Sequence, residues 1–364
     1  MSAYPIAATP YLGSNQSPAY SGIFIPAIWS GKFVEKFYDA TVLGAIASTD
    51  YEGEIRNYGD TINIRTHPTI TINAYSANQA LTVQRPSSAL VQLQINQGAY
   101  FNTVLDDVME IQADVDLLSN WADNASEQMK VYVDTAILAI SSIGINVDPT
   151  NQGTAAGRFS ASLNLGYSAN TLTAVATPGV PLFLAAVAQG TGAGGSSGNA
   201  RQVINFVIDA GLALDENRVP ETGRWLVLPP WAAAMIKRSA FQQAYLTGDA
   251  VSIARNGRLG MIDRFTIYVS NLLPIGNAIN TAVTGGPPFP VLAGSQAGTG
   301  LAAGEYGVYF GHSLGLTFAS QMTKVETLRS ESTFGTLMRG LQVWGFQVVN
   351  PTLVGVAVVK NSGF

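Results

Sequence analysis

The only imidazoles in this 364-residue chain are His67 and His312, and it has no cysteine. Acid–base or nucleophilic catalysis needs a base beside a nucleophile and an acid that orients the base. His67 precedes Pro68 inside an alternating run, and His312 sits in "FGHSLG"; neither context resembles a nucleophile elbow. His67 reads as a polar-face strand residue and His312 as a hydrogen-bonded loop or helix-start residue. Without Cys, disulfides, zinc–thiolate sites and thiol catalysis are excluded. "TGAGGSSGNA" (191–200) has the glycines of a phosphate loop. It lacks the Gly-Lys-Ser/Thr ending and no clear strand precedes it, so it reads as a flexible linker. Asp106, Asp107, Glu110, Asp114 and Asp116 form an acidic cluster, with Asp106, Glu110 and Asp114 on one helical stripe. Divalent ions want oxygens converging from a curved loop, so the stripe reads as a solvated helix face. No catalytic, cofactor or metal site is expected.

Composition points elsewhere. Charged residues make up 12% of the chain, about half of the usual ~25%, while hydrophobic residues make up 47%. A freely diffusing monomer carries more surface charge than this, so much of the surface is expected to be covered by partners. Net charge is −5 with no basic block, which argues against nucleic-acid recognition through clustered Lys and Arg. The N-terminus lacks the basic and apolar regions of a secretory signal. The longest apolar run, "VPLFLAAVA" (180–188), is too short to span a bilayer.

The elements that would carry such a surface can be read along the chain. Residues 1–22 are rich in Pro, Gly, Ser and Asn and read as an extended arm. Residues 26–47 look amphipathic, with Ile28, Trp29, Phe33 and Phe37 at helical spacing. "GDTINIRTHPTITINAYS" (59–76) alternates, with Ile62, Ile64, Ile70 and Ile72 on one face; "SALVQLQINQGAYF" (88–101) alternates again. Two such runs around a turn-rich connection predict a long β-hairpin. From Ala99 to Ile143 there is no Gly or Pro, and apolar residues recur from Val104 through Leu118, Met129 and Ile140 in steps of three and four. That pattern predicts one long helix. Segment 145–199 is loop-rich. Helices are predicted at about 200–217 and 230–246, strands at 224–230 and about 262–270, and several strands within 305–360.

Size adds a constraint. About 40 helical residues make a rod of roughly 60 Å, whereas a compact chain of this length has a diameter of only about 53 Å. A two-stranded ribbon is marginal alone in water. The expectation is a flat, elongated subunit completed by its neighbours, with no cover for the hairpin's apolar face inside a compact monomer.

Three phrases, in order, then resemble a known family: "FIPAIWSGKFVEKFYDATVLGAIASTDYEGEIRNYGDTINI" (24–64), "RLGMIDRFTIYVSNLLP" (258–274) and "SLGLTFASQMTKVETLRSESTFGTLMRGLQVWGFQVVNPTLVGVAVV" (313–359). They resemble the major capsid proteins of tailed bacteriophages, whose fold is shared with encapsulins and the herpesvirus capsid floor. The resemblance implies an α+β fold with an N-terminal arm, a long extension-loop hairpin, a peripheral domain with a long spine helix and a mixed α/β axial domain. It places the arm and opening helix at 1–45, the extension loop at 46–101 and the peripheral domain with its spine helix at 102–199. The axial domain follows at 200–317, a peripheral return strand at 318–340 and the C-terminal axial strands at 341–364. Segment 145–199 could be an insertion at the edge of either domain.

The implied function is self-assembly, as hexamers and pentamers, into the icosahedral head of a tailed phage enclosing double-stranded DNA. An encapsulin-type nanocompartment shell is the alternative, although encapsulins usually begin with a helix and this chain begins with a polar, Pro-containing arm. The partners implied are the chain itself, a portal, a separate scaffolding protein, a cement or decoration protein and packaged DNA contacted non-specifically, with no membrane. Localisation would be the virion, and the host cytoplasm during assembly. Candidate inter-subunit residues are Arg56, Arg65 and Arg85, with Asp50, Glu52, Glu54 and Asp60, the isoleucines Ile62, Ile64, Ile70 and Ile72, and Trp29, Phe33 and Phe37 at the base of the arm; ordinary core packing is an equal reading for the three aromatics. Some shells of this family cross-link a loop Lys to a neighbour's Asn. Residues 46–101 contain no Lys, and Arg stays protonated, so no such bond is expected.

Overall fold

The computed structural model describes residues 41–51, 61–68, 70–88, 90–108, 117–139, 165, 182–185, 201–238, 259–275, 301, 304–331 and 333–361. In chain order these form α1 (Leu43–Ile46), β1 (Thr61–Arg65), β2 (Leu90–Gln94), β3 (Gln97–Asp106) and α2 (Leu117–Ile137). Next come β4 (Leu182–Ala185), β5 (Arg201–Gln202), α3 (Val203–Glu216), β6 (Arg224–Leu228), α4 (Pro230–Arg238), β7 (Met261–Ile262) and β8 (Phe265–Val269). The chain ends with β9 (Glu305–His312), β10 (Leu316–Arg329), β11 (Gly335–Val348) and β12 (Val354–Asn361).

The larger sheet has the order β5-β4-β12-β9-β6-β8-β7. Its central strands are unbroken apolar runs, because they are covered on both faces: "RWLVL" of β6 is buried throughout, as is Val354–Val359 of β12. α3 presses Val203, Phe206, Val207, Ala210 and Leu214 into this core. α4 starts on Pro230, whose missing N–H is harmless at that position, and ends on Lys237 and Arg238, which suit the negative end of the helix dipole. β6 opens on Arg224, buried and therefore in need of acceptors. Its Nη2 donates to Asp215 (2.6 Å) and to the Val219 carbonyl (2.6 Å), and its Nε donates to the Pro220 carbonyl (2.8 Å).

The second sheet is antiparallel with order β10-β11-β3. Gly335 pairs with Asp106 at one end of the β11–β3 ladder and Trp344 with Gln97 at the other. α2 lies against this sheet, with the Tyr132 and Trp344 rings edge to face at 6.2 Å between centroids. The third sheet is the ribbon β1–β2.

Several expectations change. Residues 99–106, expected to open the long helix, lie instead in the strand β3 (Gln97–Asp106). The absence of Gly and Pro does not distinguish helix from strand, and Tyr100, Phe101, Thr103 and Val104 are strand-formers for which β11 provides a partner. Of the expected rod, the described helix covers Leu117–Ile137, 21 residues or about 30 Å; residues 109–116 and 140–143 lie outside the described residues. The run 88–101 splits into β2, paired with β1, and β3, paired with β11. His312 ends a strand instead of sitting in a loop or opening a helix; it is buried, and its Nδ1 accepts from the Leu314 N–H at 3.1 Å. Most of 145–199, the glycine-rich stretch 191–200, and Glu110, Asp114 and Asp116 lie outside the described residues.

One buried acid ties these parts together. Asp134 of α2 turns its Oδ2 to the backbone N–H groups of Val42 (2.6 Å) and Leu43 (3.2 Å), 92 and 91 positions away. These are donors that the first turn of α1 cannot satisfy internally. The far end of the segment is held too: Ser48 donates its N–H to the Leu316 carbonyl (2.8 Å) and accepts from the Phe318 N–H (3.0 Å). Burial raises the Asp134 pKa above its ordinary 3.8, against the lowering effect of the two backbone bonds. The native state therefore binds this proton more tightly than the unfolded chain does. Its favourable contribution is fully present below pH 3.8 and is lost as pH rises through the raised native value. Asp134→Asn keeps an acceptor without the charge and should be near neutral in acid and relatively stabilising toward pH 7. Asp134→Ala strands two N–H groups and should cost about 1–3 kcal/mol. Thermal unfolding of the three proteins between pH 4 and 8 tests both statements.

Candidate assembly surface

One face of the ribbon is apolar at its base and again at its tip, with Thr66, Ser87 and Arg85 between them. At its base Thr61 lies opposite Gln94, Ile62 opposite Leu93 and Ile64 opposite Val91. The backbone ladder stops at Arg65, but the register does not. Thr71 lies opposite Gln84, whose side-chain amide accepts from the Thr71 N–H (3.0 Å) and donates to the Thr71 carbonyl (2.7 Å). Asn73 donates to Thr82 (3.4 Å). Ser76 and Gln79 close the turn: the Gln79 N–H meets the Ser76 carbonyl (3.1 Å), and the Gln79 side chain accepts from the Ser76 N–H (3.1 Å). Asn78 takes the left-handed conformation there, at φ 64°, which Asn tolerates better than most residues. Pro68 and Pro86, on the two limbs, cannot donate to a ladder, so side-chain amides replace backbone rungs beyond them.

The base of this face is covered from within the subunit, contrary to the expectation of no internal cover. Ile64 (6% exposed), Leu93 (0%), Ile95 and Ala319 form a buried cluster, with Tyr51, Ile62, Val91, Val343 and Val349 packed around it. Two small residues make the seat. Ala319 of β10 pairs with Gly345 of β11, and a Cβ on Gly345 would lie 2.3 Å from the Gln94 carbonyl oxygen. Toward the tip the same face is bare: Ile70 is 61% exposed and Ile72 89%, with Leu81 and Val83 on the opposing limb equally open. A contiguous exposed apolar surface of this kind marks an interaction site.

A second open surface lies on the three-stranded sheet. Tyr100 and Leu341 are cross-strand partners, and Leu341 pairs with Lys324. With Asn102, Glu326 and Arg339 they line a groove of about 430 Å³. Glu326 is bridged by Lys324 (3.0 Å) and Arg339 (2.6 Å), which hold its carboxyl below the ordinary range. The groove therefore presents no unpaired anion.

Of the residues expected at subunit contacts, the structure leaves Ile70, Ile72, Arg65, Arg85 and Asp50 exposed, and the three charged ones make no ion pair among the described residues. Ile62 and Ile64 belong to the subunit's own core. Arg56, Glu52, Glu54, Asp60, Trp29, Phe33 and Phe37 lie outside the described residues. Leu81 and Val83 were readable as a second exposed pair, since "ALTVQ" alternates in register with "ITINA". The cover supplied by Ala319 and Gly345 left no local signal.

With this geometry in view, comparison with solved structures is informative. A structure from Mycobacterium phage Che8 matches with a TM-score of 0.62 at 20% identity, covering 92% of this chain and 96% of that one. The capsid of cyanophage P-SCSP1u matches with a TM-score of 0.62 at 16% identity, over 93% and 94% of the two chains. The mature capsid of bacteriophage PhiM1 matches with a TM-score of 0.59 at 13% identity, over 94% and 93%. The chain thus has the fold of phage capsid proteins, along nearly its whole length. No protein-family model and no curated protein matches its sequence.

The two halves of the apolar face should respond differently to truncation. Ile64→Ala, in the buried cluster, should lower subunit stability by about 2–4 kcal/mol. Ile72→Ala, at the open tip, should change it by less than about 0.5 kcal/mol. Chemical denaturation of unassembled subunits distinguishes them.

Proposed function

We propose that this chain is a major capsid protein. It assembles through hexamers and pentamers into the icosahedral head shell of a tailed bacteriophage, around double-stranded DNA. The observation that carries this reading is a full-length capsid fold whose loop tip displays apolar side chains that the subunit does not cover. A shell supplies that cover in neighbouring copies, and a low-charge surface suits a subunit surrounded on all sides. On this reading residues 46–101 contain the extension loop, and Arg65, Arg85 and Asp50 make polar contacts between subunits. Exposed pairs of this kind are individually weak, ~0–1 kcal/mol, and act by fixing register. The remaining partners of such a head are a portal, a separate scaffolding protein, a cement or decoration protein, and DNA held without sequence preference.

Negative-stain images of the expressed protein should show closed shells, tubes or ring-shaped capsomers. A clean monomer across a range of concentration and salt overturns the reading. Denaturing gels of mature particles should show a single band at the chain mass, since residues 46–101 offer no Lys for covalent linkage. A ladder of covalent oligomers would contradict that.

A further inference from the structure

A single turn of helix cannot hold itself in water, because nucleation fixes several residues for one hydrogen bond. α1 is such a turn, Leu43–Ile46, and no side-chain hydrogen bond from its own N-cap residue caps it. Its backbone bonds run from the Ala45 and Ile46 N–H groups to the Val42 carbonyl (3.0 and 3.3 Å) and from Ala47 to the Leu43 carbonyl (2.9 Å). What holds it comes from elsewhere. Val42, Leu43 and Ile46 are buried in the main core, and the cap is the Asp134 carboxylate of α2.

The other end of this strap reaches the seat of the ribbon. Ser48 bridges Thr317 of β10 and accepts from the Phe318 N–H, one residue before Ala319. Tyr51, three residues further along, packs on the cluster of Ile64, Leu93 and Ile95. One short segment therefore joins a carboxylate on α2 to the contacts that orient the ribbon.

That carboxylate has no counter-ion among the described residues. α1 carries no charge. Neither do Gln97–Leu105 of β3, Leu316–Met322 of β10 or Leu341–Val348 of β11, the strand segments around α2 and the strap. On α2, Lys130 lies one turn earlier, but it is held by Glu127 (2.6 Å) and both are exposed. An ionised carboxylate in this position regains water when the strap lifts, whereas a protonated one gains little. Loss of the proton therefore favours opening.

We infer that Asp134 is the latch of a charge-controlled strap: with Asp134 ionised, Val42–Ser48 lifts from α2 while the seven-stranded sheet stays folded, and the ribbon base loosens with it. In acid the strap is closed and the ribbon's direction is fixed. This is a property of the single subunit and stands apart from the shell reading.

Native-state hydrogen exchange on unassembled wild-type subunits, read as protection factors between pH 4 and 8, tests this. Toward pH 8, protection of the Leu43, Ile46 and Ala47 amides should fall by about tenfold or more relative to the Val354–Val359 amides of β12. The β1–β2 amides should follow in the same direction, by about threefold or more. Asp134→Asn keeps an acceptor but cannot ionise, and should abolish both falls. Strap protection that tracks β12 in the wild type, or that still falls in Asp134→Asn, overturns the inference. So does a strap that lifts while β1–β2 protection holds constant against β12. If the variant does not fold, the wild-type series decides alone, since it must show both falls.

Discussion

The ribbon's apolar face is longer than the surface its own subunit can offer it. That mismatch organises the rest of the molecule. Ile64, Leu93 and Ile95 are buried because Ala319 and Gly345 leave room for the Gln94 carbonyl to approach the sheet. A larger residue at 345 would push the base outward and open the cluster. With the base seated, the ribbon leaves the subunit in a fixed direction, and Ile70, Ile72, Leu81 and Val83 are presented rather than loosely tethered. The subunit spends its packing on orientation at one end of the face and leaves the other end for intermolecular contact.

Side-chain rungs make the exposed half workable. A two-stranded ribbon in water is marginal, and the prolines at 68 and 86 interrupt its ladder. Gln84 substitutes by meeting both polar groups of Thr71 with one amide, as a backbone residue would. Because these bonds lie between the limbs, they tie the ribbon without using its outer edges. The prolines also shorten the run of free backbone to the few residues at the tip, which limits indiscriminate pairing.

How much of this was legible in the sequence follows from the range of each signal. Alternation is local, so the ribbon could be read directly, although its second limb at 80–84, opposite Thr71 and Asn73, reads in sequence as part of the turn-rich connection. Buried runs such as "RWLVL" were equally plain. The start of the long helix was not legible because apolar spacing at 99–106 fits either period, and what decides is β11, more than 200 positions away. Ala319 and Gly345 carry no signature of a seat, since a small residue in a strand is ordinary until its neighbour is known. Asp134 carries no local mark that sets it apart from any other acid on a helix. Only the fold places it over the donors of Val42 and Leu43.

The two open surfaces also constrain the kind of assembly available. The loop tip and the groove on the three-stranded sheet are different patches of one molecule, so a contact between them would be heterologous rather than self-complementary. Heterologous contacts do not stop at a dimer; they propagate until a rotation closes a ring, or they run on as a filament. Rings of five and of six built from one subunit differ by a modest rotation at each contact. The firmly seated base is poorly placed to supply that rotation, since Ala319, Gly345 and Gln94 are in close contact. The tip, held by side-chain amides beyond the prolines, has softer restraints. In the shell proposed above, the stiff part of the ribbon would set which neighbour is reached, and the compliant part would let the same contact form at more than one angle.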